Sequence, residues 1–260
     1  MRPAPRVTWG APLVEARFLA RPNRFVVHAE VNGREEVAHL ADPGRLRELL
    51  VPGARLGLRP EPPSPTRKTR WTAMLVEVPG DEAGGMRDRR GGGNAADEPG
   101  ARPWVSVNTT VPNRLVEEGL RSSLLEEFAG WSFLRREPPL GKGRMDFLLE
   151  NGEGRRMYVE TKSVTLVRDG VALFPDAVTA RGARHLEELE KALGEGHEAA
   201  VLFIVQRPDA ERIVAAREID PHFARTLSRV QDAGVRVLGR RCRVDWEGIT
   251  LLGPVPAGAG

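Results

Sequence analysis

Arg144-Met145-Asp146-Phe147 and Val159-Glu160-Thr161-Lys162, with the loop Asn151-Gly152-Glu153-Gly154 between them, decide the fold. Two strand-like segments, 143–150 and 155–164, flank that loop. A hairpin folded symmetrically about Glu153 sets Asp146 across from Glu160, because each stands seven residues from the centre. Side chains alternate along a strand, so Glu160 and Lys162 share a face while Thr161 points away. Two carboxylates and one ammonium then converge on one patch of sheet. That is the minimal set for holding a divalent cation and hydrolysing a phosphodiester.

Composition sharpens the reading of Lys162. The chain carries 39 Lys plus Arg, with Lys only at 68, 142, 162 and 191. Lys is a compact charge whose pKa shifts readily, whereas Arg is a wide, permanently charged fork. A Lys two residues after a Glu therefore stands out in an Arg-dominated chain. The string alone also fits a surface ion-pair hairpin; the flanking segments favour the metal reading.

At 260 residues and 40% hydrophobic content the chain has room for one large domain or two ordinary ones. No apolar run approaches bilayer length, and Met1–Arg6 lacks the apolar stretch of a signal peptide. The single cysteine, Cys242, excludes an intrachain disulfide and a thiolate metal site. A cytoplasmic protein with no membrane partner is expected. Residues 1–80 carry 13 Lys/Arg against 8 Asp/Glu, while the remainder is mildly acidic. A basic front suits a polyanion-gripping module joined to a carboxylate-bearing one.

The front segment, residues 1–80, reads as short strands with turns. Phe25–Val31, Glu35–Leu40, Ala54–Arg59 and Trp71–Val78 are strand candidates, with Asn32-Gly33 as a hairpin turn. Asp42-Pro43-Gly44 reads as the start of a short helix over Arg45–Leu50. The expected product is a small barrel of the oligonucleotide-binding (OB) kind. Residues 81–103 are Gly-rich and charged, and read as a flexible linker. From 104 to 260 the pattern is mixed α/β. A helix spans 114–121, and Ser123-x-x-Glu126 has the form of a capping box. A strand follows at 132–137, an amphipathic helix at 179–193, and a strand buried on both faces at 199–205. Asp220-Pro221 opens a last helix, followed by a strand at 235–239 and a final hairpin within 243–252.

Asp146, Glu160 and Lys162 are the candidate catalytic residues, with Mg²⁺ (or Mn²⁺) as cofactor, because Mg²⁺ favours hard oxygen ligands. An acid, a hairpin, then Glu-x-Lys on the next strand resembles the restriction-endonuclease-like, PD-(D/E)xK, nuclease core. That resemblance implies a backbone carbonyl of Thr161 in the metal shell and Glu118 as a third acid. Gln206, ending the buried strand, is a candidate phosphate or indirect metal contact. Arg181 and His185 lie in the first turns of a helix, where phosphate binding is natural. No second His stands at metal-ligand spacing, so a zinc site is rejected. In the front segment Arg67-Lys68-Thr69-Arg70-Trp71 interleaves cations with an aromatic, a pattern suited to phosphate contacts and base stacking. Arg21-Pro22-Asn23-Arg24-Phe25 is a shorter patch of the same kind. DNA-binding candidates are Arg21, Asn23, Arg24, Arg45, Arg67, Lys68, Arg70 and Trp71.

Almost the whole chain resembles the sugar fermentation stimulation protein A family. The resemblance rests on Arg21-x-Asn23-Arg24-Phe25, Asp42-Pro43-Gly44-Arg45-Leu46, Arg67-Lys68-Thr69 and Val107-Asn108-Thr109 with Asn113. It continues through Asp146–Leu149, Val159–Leu166, Phe174–Leu186 and Val205-Gln206-Arg207. It implies an N-terminal OB-type barrel and a C-terminal restriction-endonuclease-like domain. It further implies DNA binding without strong sequence preference and an association with regulation of sugar (maltose) utilisation genes. Departures are Asp42 where the family pattern has Asn, Ser163 where it has Asn, and a longer 81–103 segment. Two functions stay open: a Mg²⁺-dependent nuclease, and a DNA-binding regulator whose nuclease-like domain does not cut. A homodimer is also left open.

Overall fold

A computed structural model of the chain describes residues 3–80 and 102–260. The expected flexible linker at 81–103 therefore lies almost wholly outside the described residues. In chain order the elements are β1 (Arg6–Thr8), β2 (Val14–Asn23), β3 (Val26–Val31), β4 (Arg34–Leu40), β5 (Arg55–Pro60), β6 (Trp71–Glu77) and β7 (Trp104–Ser106). Helix α1 (Val111–Arg121), β8 (Trp131–Arg136) and the two-residue strands β9 (Pro139–Leu140) and β10 (Gly143–Arg144) follow. Then come β11 (Phe147–Asn151), β12 (Arg156–Val164), β13 (Val167–Arg168), β14 (Val171–Phe174), α2 (Ala180–Gly194) and β15 (Glu198–Val205). The chain closes with β16 (Arg212–Ala215), α3 (Pro221–Asp232), β17 (Arg236–Val244), β18 (Gly248–Pro254) and β19 (Ala257–Gly258).

Strands β2 to β6 form the barrel. Their order is β4-β3-β2-β5-β6, and parallel pairing of Ala38–Leu40 with Trp71–Ala73 joins β4 to β6 and closes the ring. Ala16, Phe18, Val27, Ala29, Leu40, Leu56 and Leu58 fill the interior. The second unit is a mixed seven-stranded sheet, β1-β18-β17-β15-β12-β11-β8, with parallel strands at its centre. Alternation along β12 sets Met157 and Val159 against α1, and Tyr158 against α2 and α3. Thr179 caps α2 by accepting from the Gly182 N–H, and Asp220 caps α3 by accepting from the Phe223 N–H. Two short strands lie across the expected division of the chain: β1 edges the C-terminal sheet by pairing with β18, and β7 extends the barrel by pairing with β6.

Two local expectations are corrected. The segment Arg45–Leu50 is a single turn, not a helix. Leu46 takes a positive φ of 49°, and the Arg45 and Asp42 carbonyls accept from the Arg21 guanidinium instead of from following amides. Ser123-x-x-Glu126 is not a capping box. Ser123 sits at φ 56° and ends α1 in a Schellman arrangement: Ser123 N–H donates to Leu120 and Leu124 N–H to Gly119. A three-residue 3₁₀ turn, Glu126–Phe128, follows with no side-chain cap.

The barrel docks on the sheet through named contacts. Met74, Leu75 and Trp104 enter the same core as Trp9, Leu115 and Phe147. Thr109 Oγ1 donates to the Ala41 carbonyl at 2.7 Å, and Ser106 N–H donates to the Gln206 carbonyl at 3.1 Å. Asp176 Oδ2 accepts from the Arg45 N–H at 2.7 Å. Gly44 makes this last contact feasible, since a Cβ there would stand 2.3 Å from Asp176 Oδ2. Gly44→Ala is therefore expected to lower stability by about 1–3 kcal/mol through overpacking. Asp176→Ala in the same chain removes the closest contacts and leaves only Asp42 Oδ1, at 2.8 Å, so a double-mutant cycle by urea denaturation should show a smaller combined loss than the two single losses added.

Candidate metal centre

The hairpin folds as its spacing predicts. Phe147 pairs with Val159 and Leu149 with Met157, so the register is centred on Glu153 and Asp146 stands at the position opposite Glu160. Asp146 occupies the bend just before β11. Its two oxygens are held from different directions. Asn113, from the first turn of α1, donates to Oδ1 at 2.7 Å, and the Thr161 N–H donates to Oδ2 at 2.7 Å. Glu160 follows Tyr158 on the face covered by α2, and is only 4% exposed. Lys162 Nζ lies 2.6 Å from its Oε1, and His185 Nδ1 from α2 lies 2.5 Å from the same oxygen. Arg181 Nε donates to His185 Nε2 at 3.3 Å. Because that nitrogen accepts, Nδ1 carries the ring proton and donates to Glu160.

On the face of β12 that carries Lys162, Glu160 Oε2 is buried and accepts no hydrogen bond; Thr161 Oγ1, likewise unpartnered, belongs to the opposite face. Burial works against ionising Glu160, but Lys162 and His185 outweigh it and hold its carboxyl below the usual carboxylate range. Asp146 responds in the opposite sense. Burial, then the charge of Glu160, push it up to about 6, against the pull of the Thr161 N–H, Lys162 and Asn113. A cation facing Glu160 Oε2 and Asp146 would relieve both the orphaned oxygen and the like-charge repulsion. The residues present thus fit a hard divalent ion. Among the described residues no group of three or more His, Cys, Asp or Glu side chains is placed to hold a metal ion; His185 turns its Nδ1 to Glu160 instead.

Glu118 does not take the expected place of a third acid. It is exposed on α1 and lines an open groove of about 730 Å³ with Arg6, Arg114, Glu117, Arg121 and Arg136. Asn113 is the α1 residue that reaches Asp146, and five residues of helix turn Glu118 well away from it. Gln206 is wholly buried; its Nε2 donates to Ser163 Oγ, so it braces the end of β12 rather than meeting a phosphate. Arg21 is engaged with the carbonyls of Arg24, Asp42 and Arg45. Asn23 Oδ1 accepts from the Phe25 N–H. Arg67 binds the Thr69 carbonyl, Thr72 Oγ1 and Glu61. Trp71 is half-buried against the barrel core, with its indole N–H on Glu36. These four are structural in the fold, while Arg24, Arg45, Lys68 and Arg70 are exposed.

The "Sugar fermentation stimulation protein RE domain" model matches residues 110–248, and the "SfsA N-terminal OB domain" model matches residues 19–84. The chain belongs to the sugar fermentation stimulation protein family. A sugar fermentation stimulation protein homolog of Moorella thermoacetica is 41% identical over 245 residues, covering 94% of this chain and 96% of that protein. One from Chloroflexus aurantiacus is 42% identical and covers 95% of this chain and 86% of that protein. The structure of Pyrococcus furiosus SfsA in complex with Ca²⁺ superposes with a TM-score of 0.80 at 28% identity, covering 99% of each chain. The family's two-part architecture, an OB domain and a restriction-endonuclease-like domain, is that of this chain. No helix among the described residues is long and apolar enough to cross a membrane.

The Asp146 environment has a stability consequence. An acid whose folded pKa exceeds its unfolded value, ~3.9, destabilises the fold as it ionises, so stability falls as pH rises from about 4 through about 6. Metal-free Asp146→Asn protein should therefore gain in melting temperature over the parent as pH rises from about 4 to about 6, with the difference levelling off above about pH 7. Added Mn²⁺ should raise the melting temperature of the parent and not of Asp146→Asn. Differential scanning fluorimetry over a pH and metal series reads both; comparing variant with parent removes the effect of Asp42, which burial also pushes up to about 6.

Proposed function

We propose that this chain is a DNA-binding, divalent-metal-dependent phosphodiester hydrolase acting without strong sequence preference. The observation that carries the reading is the buried, unpartnered Oε2 of Glu160 beside Asp146. The Pyrococcus furiosus relative forms a complex with Ca²⁺, which supports a divalent ion in this family. Asp146 and Glu160 would hold Mg²⁺ or Mn²⁺, with the Thr161 carbonyl as a third protein donor. Bound there, the ion supplies a Lewis acid for the scissile phosphate and a water of lowered pKa.

The chain's own residues have distinct tasks. Asn113 and the Thr161 N–H fix the orientation of Asp146. His185 fixes Glu160 through Oε1 and leaves Oε2 free. Lys162, two residues on along β12, places an ammonium at the same carboxylate, where it orients the attacking water and offsets charge on the phosphate. Arg181 keeps its Nη groups for a phosphate oxygen while Nε steadies His185. Exposed Arg24, Arg45, Lys68 and Arg70 on the barrel meet backbone phosphates, which carry no sequence information.

A second reading is a DNA-binding regulator of sugar metabolism whose RE domain does not cut; the name of the family, sugar fermentation stimulation, favours it. The two readings separate on cleavage. The hydrolase reading expects Mn²⁺- or Mg²⁺-dependent cutting that EDTA stops, and Glu160→Ala and Lys162→Ala should each lower it by at least about 10²-fold. Lys162→Ala should still bind the metal. Uncut single-stranded, double-stranded and branched DNA and uncut RNA, with either ion, would leave only the regulator.

A further inference from the structure

The turn between β2 and β3 carries Arg24 and Phe25, and Phe25 is 52% exposed, the only aromatic among the exposed large apolar side chains of the described residues. Its backbone is pinned. The Phe25 N–H donates to Asn23 Oδ1, and the Phe25 carbonyl accepts from the Leu40 N–H, both at 2.9 Å. Arg21 supports the turn by donating to the Arg24 carbonyl at 2.9 Å and to the Arg45 carbonyl at 2.7 Å. The Arg45 N–H then bonds Asp176, two residues before Val178, which is 71% exposed. Arg181 follows at the start of α2 and reaches His185 and, through it, Glu160. Two short hydrogen-bonded series, Phe25 turn to Asp176 and Arg181 to Glu160, are thus joined by the chain segment 176–181. Along them Arg24, Arg45 and Arg181 are exposed and have no carboxylate partner among the described residues.

We propose that this rim is a track for single-stranded DNA: a base stacks on the Phe25 ring, the neighbouring phosphates lie on Arg24, Arg45 and Arg181, and the strand leads on to Asp146 and Glu160. A rigidly presented, solvent-exposed ring adds affinity only where a base face is free. In a duplex the bases already stack on one another, and cations alone would serve its phosphates. The aromatic of the longer basic stretch, Trp71, is ruled out as the platform because its ring packs on the barrel and its N–H is held by Glu36. The direction of the track rests on the hydrolase reading; the binding does not.

The test is fluorescence anisotropy with a labelled oligothymidine and a duplex of equal length, in EDTA, over a salt series. Wild-type protein should bind the single strand more tightly than the duplex. Phe25→Ala should weaken single-strand binding roughly tenfold with an unchanged salt slope and leave duplex binding as it was, and Phe25→Trp should retain or improve it. Arg24→Ala and Arg45→Ala should each flatten the single-strand salt slope by about 0.7. Unchanged single-strand affinity in a Phe25→Ala protein of unaltered melting temperature would overturn the proposal, as would an equal loss on the duplex. Because no metal is present, failure here leaves the hydrolase reading intact. A chain that binds single strands this way and never cuts upholds the track and removes the hydrolase.

Discussion

Two carboxylates share one buried corner of the C-terminal sheet, and the surrounding side chains are arranged around that constraint. Ionising both acids in a low-dielectric site is costly unless each is compensated. Glu160 is compensated fully on one oxygen, by Lys162 and His185, and not at all on the other. Asp146 receives two neutral donors and no direct cation contact, so it carries the strain of the pair as a raised pKa. The imbalance has a direction: an uncompensated carboxylate oxygen that a hard cation would satisfy.

Polar contacts tie the barrel to that corner, beside the apolar core the two units share. Asp176, just before α2, receives the Arg45 N–H of the barrel. Thr109, just before α1, donates to the Ala41 carbonyl. The two helices whose first two turns supply His185 and Asn113 to the acid pair are therefore the ones whose leading loops touch the barrel turn at 41–45. Grip and chemistry are registered through the same few residues, and Gly44 is needed because the backbone there meets the Asp176 carboxylate.

Much of this is legible in the sequence. The hairpin centre at Glu153 follows from spacing alone, since a period of two leaves little freedom once the loop is set. The α/β order after 104 follows from apolar periodicity and cap residues such as Asp220 before Pro221. Strand β2 escapes a sequence reading, because charged residues and Pro22 obscure the inward alternation of Ala16 and Phe18. Helix character at 45–50 fails because Arg21, distant in sequence, takes the carbonyls a helix would use. Arg21 and Arg67 read as DNA contacts, yet each binds main-chain carbonyls; residue type does not distinguish a solvated guanidinium from one that braces a turn. Asn113 carries no signal of its role, since only the fold brings the start of α1 to Asp146.

The most direct measurement of the central claim is anomalous diffraction from crystals soaked in Mn²⁺. A metal centre at the acid pair predicts one strong peak facing Glu160 Oε2 and Asp146, with Lys162 and His185 still at Glu160 Oε1. A saturating soak that leaves that corner without a peak, or places manganese elsewhere on the chain, would contradict it.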